Sequence, residues 1–227
     1  MPKATFLNLP EDKRNHILDV AIEEFCNKPY QSASISAIVR DAGIAKSSFY
    51  QYFADKRDLY LHILQLGMQQ KMALVNQIKP VEKAMDTFDY LRWTIQLSVL
   101  FELRYPKLAR IAYRAFIEDI PFPDEVDGLV KKGSTFYLND FLTQGILHNT
   151  VAPWVDTDMA AFMLGNLHFQ FGRYLLQRMN LNPDDFSEGQ LDLFKDQVAQ
   201  DLFDNLMDLI EAGMGRNPEI RNQFFSK

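Results

Sequence analysis

"GIAKSSFYQYFADK", residues 43–56, follows a glycine with a lysine, two serines, two tyrosines and a glutamine in one short helical stretch. A core helix places apolar residues at such positions, and a merely solvated helix favours Glu and Lys. Phe49 and Phe53 are four residues apart and so share one face, which anchors the segment. Lys46, Ser47, Ser48, Tyr50, Gln51 and Tyr52 are thereby expected to stand mostly free of the core.

The stretch just before it completes the pattern. In "SISAIVRDAG" Ser34 is a plausible N-cap, Ile35, Ile38, Val39 and Ala42 form a buried side, and Gly43 ends the helix in the left-handed conformation. Helix, glycine turn, helix is the helix-turn-helix arrangement, whose second helix enters the major groove of DNA. Upstream, Pro10 and acidic residues open a helix over 10–26, with Ile17, Leu18, Ala21, Ile22 and Phe25 on one stripe. Ile22, Phe25, Ile38, Val39, Ala42, Ile44, Phe49 and Phe53 make up the expected core of this segment.

The odd composition of residues 45–52 then has a reason. Ser47 and Ser48 are short enough to let base edges approach, and Lys46, Gln51 and the serines carry hydrogen-bonding groups. Tyr50 and Tyr52 offer rigid hydroxyls to the flanking phosphates, and Arg40 and Lys56 supply charge on either side of the helix. Packing of either tyrosine between helices is the alternative.

Residues 10–62 resemble the DNA-binding domain of the tetracycline-repressor-like (TetR/AcrR) family of bacterial transcription regulators. The resemblance is carried by "ILDVAIEEF", "SISAIV", "DAGIAKSSFYQYF" and "DKRDLYLHIL". It implies that Lys46, Ser47, Ser48 and Tyr50 touch bases and backbone, and that Ser34, Arg40, Tyr52 and Lys56 hold phosphates. Ala45, counted with these among the DNA-binding residues, stands where the family often has a serine or threonine cap, a change that weakens the helix start by ~1 kcal/mol. Ser48 stands where a glycine or proline is common, which implies a different base preference. "NKPYQSAS", residues 27–34, lacks the glycine usual between the first two helices.

The 227 residues suit one large or two small domains, and 47% of them are apolar. Residues 1–62 carry eight of the 24 Lys/Arg and eight of the 30 Asp/Glu, so all the acidic excess behind the net charge of −6 falls later. Attraction to phosphate must then come from the placement of charge, not its sum. No apolar run reaches the roughly 20 residues that span a bilayer, and no apolar signal core opens the chain, so a soluble cytoplasmic protein is expected, with no membrane partner. Cys26, the one cysteine, reads as a small buried hydrophobe.

Apolar spacing is helical nearly throughout. The expected fold is all-α, about nine or ten helices, with a helix-turn-helix domain over 1–62 and a ligand-binding and dimerisation bundle over 63–227. Segments of roughly 81–103, 105–118, 125–145, 156–179 and 188–213 follow the long helix that starts at Asp55. Asp156 or Thr157 can cap the second-last helix and Ser187 the last.

One short helix buries too little surface for tight specific binding, so a homodimer on a palindromic operator of double-stranded DNA is expected. Ala161, Gly165, His168 and Gly172 fall on one face of "AAFMLGNLHFQFGRYLL", and glycines inside a helix mark close backbone approach. With Leu202, Leu206 and Leu209 of the last helix they form the candidate dimer interface; packing within the subunit is the alternative. Trp93, Phe101, Tyr113, Phe116, Phe136, Phe141 and Phe169 are candidates for an apolar pocket that takes a small hydrophobic effector. Arg110 and Arg114 either pair an anionic group of that effector or pair Glu102, Glu118 or Asp119.

The four histidines are scattered, and no zinc motif, phosphate loop or nucleophile motif appears, so neither a metal nor a cofactor nor an enzyme is expected. The reading is a ligand-responsive repressor that leaves its operator when the effector binds. An all-α small-molecule-binding protein or enzyme in which 34–52 is only a helical hairpin, and a protein-interaction module built on the acidic bundle, are the rivals.

Overall fold

The computed structural model describes residues 2–77, 86–129, 135–181 and 191–216. Among these the chain is all-α, with eleven helices and one 3₁₀ turn. Against the expected nine or ten, the added elements are a short N-terminal helix, α1 (Ala4–Leu7), and the one that comes from dividing 125–145 into α8 (Pro123–Leu129) and α9 (Thr135–Leu147).

The helices group into two compact units, residues 1–72 with 105–131 and residues 73–104 with 132–227. Residue 62 falls inside α5 (Lys56–Gln77). The first unit contains α1, α2 (Glu11–Asn27), α3 (Ile35–Asp41), α4 (Lys46–Tyr52), most of α5, α7 (Pro106–Ile117) and α8. Its core is aromatic and aliphatic: Phe6, Ile17, Ala21, Phe25, Ile38, Phe49, Phe53, Leu59 and Ile63 are all fully or almost fully buried. Ile22 and Ile44, expected in that core, keep partial exposure.

Helix ends are set by local chemistry. The Asp55 carboxylate accepts the Asp58 amide at 2.8 Å, which satisfies an otherwise orphaned donor in the first turn of α5, and the Asp58 carboxylate accepts the Ala54 amide just before the helix at 3.0 Å. α7 docks on α2. Lys107 pairs with Glu23, and Arg114 donates to the Cys26 carbonyl at 3.0 Å and pairs with Glu118 at 3.2 Å. Of the two readings for Arg114, pairing with an internal carboxylate is the one the structure displays.

The second unit is a bundle of α6 (Thr87–Arg104), α9, α10 (Thr157–Arg178) and α11 (Gln197–Met214). Leu91, Ile95, Val99 and Leu103 recur every four residues along α6 and enter the core with Leu138 and Leu142 of α9 and Leu164, Phe171 and Leu175 of α10. Asp156 caps α10, accepting the amides of Asp158 and Met159. The last helix starts at Gln197, capped by Asp196 after a 3₁₀ turn over Leu191–Lys195; Ser187, the expected cap, lies outside the described residues.

Candidate nucleic-acid interface

Ser34 begins α3 as expected. Its hydroxyl accepts the Ala37 amide at 3.4 Å, and its own amide donates to the Glu24 carboxylate at 2.9 Å, which ties the start of α3 to α2. Gly43 ends the helix at φ +63°, the left-handed region that glycine enters without strain. The Gly43 amide donates to the Arg40 carbonyl and the Ile44 amide to the Val39 carbonyl at 3.0 Å, the paired bonds of a Schellman turn. Those bonds fix the angle at which the chain leaves α3 and enters α4.

α4 has no side-chain cap at Ala45. Phe49 and Phe53 are wholly buried, 5.7 Å apart between ring centroids. Opposite them Lys46, Ser47 and Gln51 are exposed, Ser48 is half-buried, and Tyr50 is 44% exposed with its ring edge-on to Phe49. Four neighbouring side chains thus offer an ammonium, a hydroxyl, a phenol and an amide to solvent from one rigid helix of seven residues.

Two expected contacts are turned inward. Tyr52 is only 7% exposed, because its ring packs against Phe6 of α1 at 5.8 Å. The Lys56 ammonium donates to the carbonyls of Tyr30, Gln31 and Ala33 at 2.7, 3.3 and 2.9 Å and sits over the Tyr30 ring. All three of its hydrogens serve the 30–33 turn, so none is left for a phosphate. Burial also pushes the Lys56 amine below its usual range. Arg40 is exposed and forks onto Asp41 at 2.6 and 3.0 Å; that bond holds the Asp41 carboxyl below the usual carboxylate range.

The glycine-free turn between α2 and α3 closes through Pro29, whose carbonyl accepts the Ser32 and Ala33 amides, each at 3.0 Å. Tyr30 takes the place of a flexible turn residue. It is buried against Phe25, Tyr60 and Phe122, and its amide donates to Glu118. Sequence reasoning missed both this aromatic plug and α1; the string "KPY" beside Lys56 contains the signal only once the ring and the ammonium are known to be neighbours.

In the second unit the expected dimer face is turned into its own subunit. Ala161, Gly165 and Gly172 are buried, and a Cβ at Gly172 would run into the Glu102 carboxylate and come within 3.5 Å of the Val99 Cα. The His168 ring nitrogens lie 2.7 Å from the Leu164 carbonyl and 2.9 Å from the Thr94 hydroxyl. The close approach that the small residues signal is therefore to α6 of the same chain. Leu202 and Leu206 pack partly on the core, and Leu209 is 63% exposed. The opposite face of α10 carries Met159, Phe162 and Met163, all largely exposed.

The pocket candidates divide between the units. Trp93 and Phe141 both touch Tyr90, at 5.5 and 4.8 Å, Phe101 is buried, and Phe169 is half-buried. Tyr113 and Phe116 belong to the first unit. The Phe136 side chain lies outside the described residues. Among the described residues no three His, Cys, Asp or Glu are grouped to hold a metal, and no helix is long and apolar enough to cross a membrane.

A capped α3, a Schellman turn and a buried-side α4 on an all-helical chain define the class of helix-turn-helix regulators. The family model "Bacterial regulatory proteins, tetR family" matches residues 17–63, and that of the "Tetracyclin repressor-like, C-terminal domain" matches 85–215. The chain belongs to the TetR family and is a transcriptional regulator of that family. A TetR family regulator from Chloroflexus aurantiacus J-10-FL is 40% identical, with a TM-score of 0.83, over 96% of this chain and all of that one. AcrR from Shigella flexneri is 38% identical over 57 residues, 25% of this chain and 26% of that protein. FadR from Bacillus subtilis, solved with stearoyl-CoA, shares the fold at a TM-score of 0.60 and 17% identity over 85% of this chain and 97% of that one. The chain spans well under half the length of two curated relatives it matches, AcrR among them.

Proposed function

We propose that the protein is a cytoplasmic, homodimeric repressor that reads a palindromic operator with α4 and releases it when a small hydrophobic molecule binds residues of the 63–227 segment. The observation that carries this reading is the exposed row Lys46, Ser47, Tyr50 and Gln51 on a helix held from behind by Phe49 and Phe53. Short hydroxyls and an amide suit base edges, and the lysine and tyrosine suit phosphates. In this reading Ser34 and Arg40 hold phosphates beside the row, and the half-buried Ser48 contributes at its margin.

Dimerisation uses the outward face of α10 and α11: Met159, Phe162 and Met163 with Val198, Leu202, Leu206 and Leu209. Two helices per protomer then meet as four. Trp93, Phe101, Phe141 and Phe169 contact the effector. FadR, which shares the fold, was solved with an acyl-CoA, and its ligand sets the class of molecule to try first. Effector binding favours a separation of the two reading heads that no longer matches the half-sites. α7, which continues from α6 in the chain and is bonded to α2, is the element that transmits it.

Duplexes selected from a random library should bind with an affinity that falls steeply between low and high salt. Lys46→Ala and Tyr50→Ala should each abolish most of that binding with unchanged far-UV circular dichroism. Normal binding by either variant, or a selection that enriches no sequence, would refute the reading.

A further inference from the structure

A helix leaves its last four carbonyls without partners of its own. In α4 these belong to Phe49, Tyr50, Gln51 and Tyr52. The Phe53 amide takes the first at 2.9 Å. The other three all go to one short stretch at the far end of the sequence. The Lys3 ammonium donates to the Tyr50 carbonyl at 2.7 Å, the Thr5 hydroxyl to the Gln51 carbonyl, and the Lys3 amide to the Tyr52 carbonyl at 2.8 Å.

Phe6 anchors this stretch. It is fully buried, with its ring 4.7 Å from Phe53 and 6.2 Å from His62, so it joins α1 to the end of α4 and to α5. Arg14 of α2 reaches back to the Leu7 carbonyl at 3.1 Å and closes α1 from the other side. The start of α4 has no side-chain cap to compensate if this end loosens. Seven residues are too few for a helix to hold its shape alone. The positive ammonium also sits at the negative pole of the helix.

We propose that α1 is a clamp that sets the angle and rigidity of α4, with Lys3, Thr5 and Phe6 as positioning residues for the reading surface. Water could satisfy the same carbonyls if α1 were gone, but water fixes no direction. The clamp converts three solvated groups into three oriented ones, on the backbone of Tyr50 and Gln51, whose side chains the proposed function turns to DNA, and of the inward-facing Tyr52. Apparent affinity scales with the fraction of time α4 is in its reading position.

The test compares the full-length chain with Lys3→Ala/Thr5→Val, with Lys3→Arg as rescue and Phe6→Ala as a second variant. Amide hydrogen exchange of residues 49–53 should speed up about tenfold in the double variant while the thermal unfolding midpoint stays near wild type. Affinity for a duplex selected by the wild type should fall about tenfold per head, so about a hundredfold for two heads, with the same salt slope. Lys3→Arg should restore both. If Phe6→Ala does not fold, the double variant decides alone. Unchanged exchange in α4 overturns the clamp. So does a salt slope lower by about one contact with unchanged exchange, because Lys3 would then be a phosphate ligand. The binding arm rests on the proposed DNA-reading role of α4, and the exchange arm does not. A wild type that selects no duplex refutes that role and leaves the exchange comparison to decide the clamp.

Discussion

Replacing Phe162 by Glu should split the proposed dimer and leave each protomer folded. Phe162 is 61% exposed on α10, between Met159 and Met163. For a ring side chain of about 200 Å² that exposure leaves roughly 120 Å² in water. Burying it against a partner at about 25 cal/mol per Å² gives about 3 kcal/mol per protomer. A two-fold interface uses the residue twice, so the substitution removes about 6 kcal/mol. That corresponds to about 10⁴-fold in the dissociation constant. The new carboxylate adds repulsion on a segment that already holds the acidic excess.

Gly172→Leu on the other face of the same helix is the matched control. Its Cβ alone meets the Glu102 carboxylate, and the Val99 backbone 3.5 Å away blocks the rest of the side chain. Overpacking of this kind costs about 1–3 kcal/mol, offset by at most about 1 kcal/mol of helix propensity. Gly172→Leu should therefore lower the thermal midpoint, and Phe162→Glu should not. Sedimentation equilibrium reads the first effect and circular dichroism melting the second. A Phe162→Glu protein that stays dimeric at nanomolar concentration would sink the argument. So would a Gly172→Leu protein that is monomeric at wild-type stability, because the small-residue face would then be the one that meets the partner.

Lys56→Met keeps the alkyl stem and leaves the Tyr30 and Ala33 carbonyls unpaired, so it should cost about 1–3 kcal/mol by chemical denaturation. The salt slope of DNA binding should not change; a slope lower by about one with unchanged stability would return Lys56 to the phosphates. Gly43→Ala should cost about 1–2 kcal/mol. A Cβ there meets nothing within 4 Å, so the whole loss is the φ of +63°, and Gly43→Asn should recover part of it in the same urea titration. Burial holds the His62 imidazole below its usual pKa, with the Asp58 carboxylate pulling the other way. The unfolded chain then binds the proton first, so the His62 contribution to stability is complete above pH about 6.5 and is lost as pH falls from there. His62→Phe should flatten the stability profile between about pH 5 and 7; an unchanged slope would count against it.

The head was legible because its signals are local. A serine before an apolar run, a glycine after it and two phenylalanines four apart each specify a backbone feature without reference to anything distant. α3, the Schellman turn and the buried side of α4 follow from those residues alone. α1 was not legible for the same reason in reverse. Four residues display no period, and Phe6 means nothing until Phe53 and His62 are known to surround it. Tyr52 reads as an outward hydroxyl until Phe6 covers it. Lys56 reads as a phosphate contact until the 30–33 turn presents three carbonyls to its ammonium.

The bundle makes the more general point. Spacing tells which residues of a helix share a face, and it told this correctly for Ala161, Gly165, His168 and Gly172. Small residues tell that something comes close, and that also holds, because the Glu102 side chain and the α6 backbone press on Gly172. Neither signal says whether the approaching helix belongs to the same chain or to a partner. That choice depends on which face has the larger apolar area left over once the subunit has closed. For α10 the small face is consumed inside by α6, and the large side chains of Met159, Phe162 and Met163 are what remains. A helix packed at close range on one side and studded with large apolar groups on the other has spent its first face inside the subunit, and the proposed partner protomer is assigned to the second.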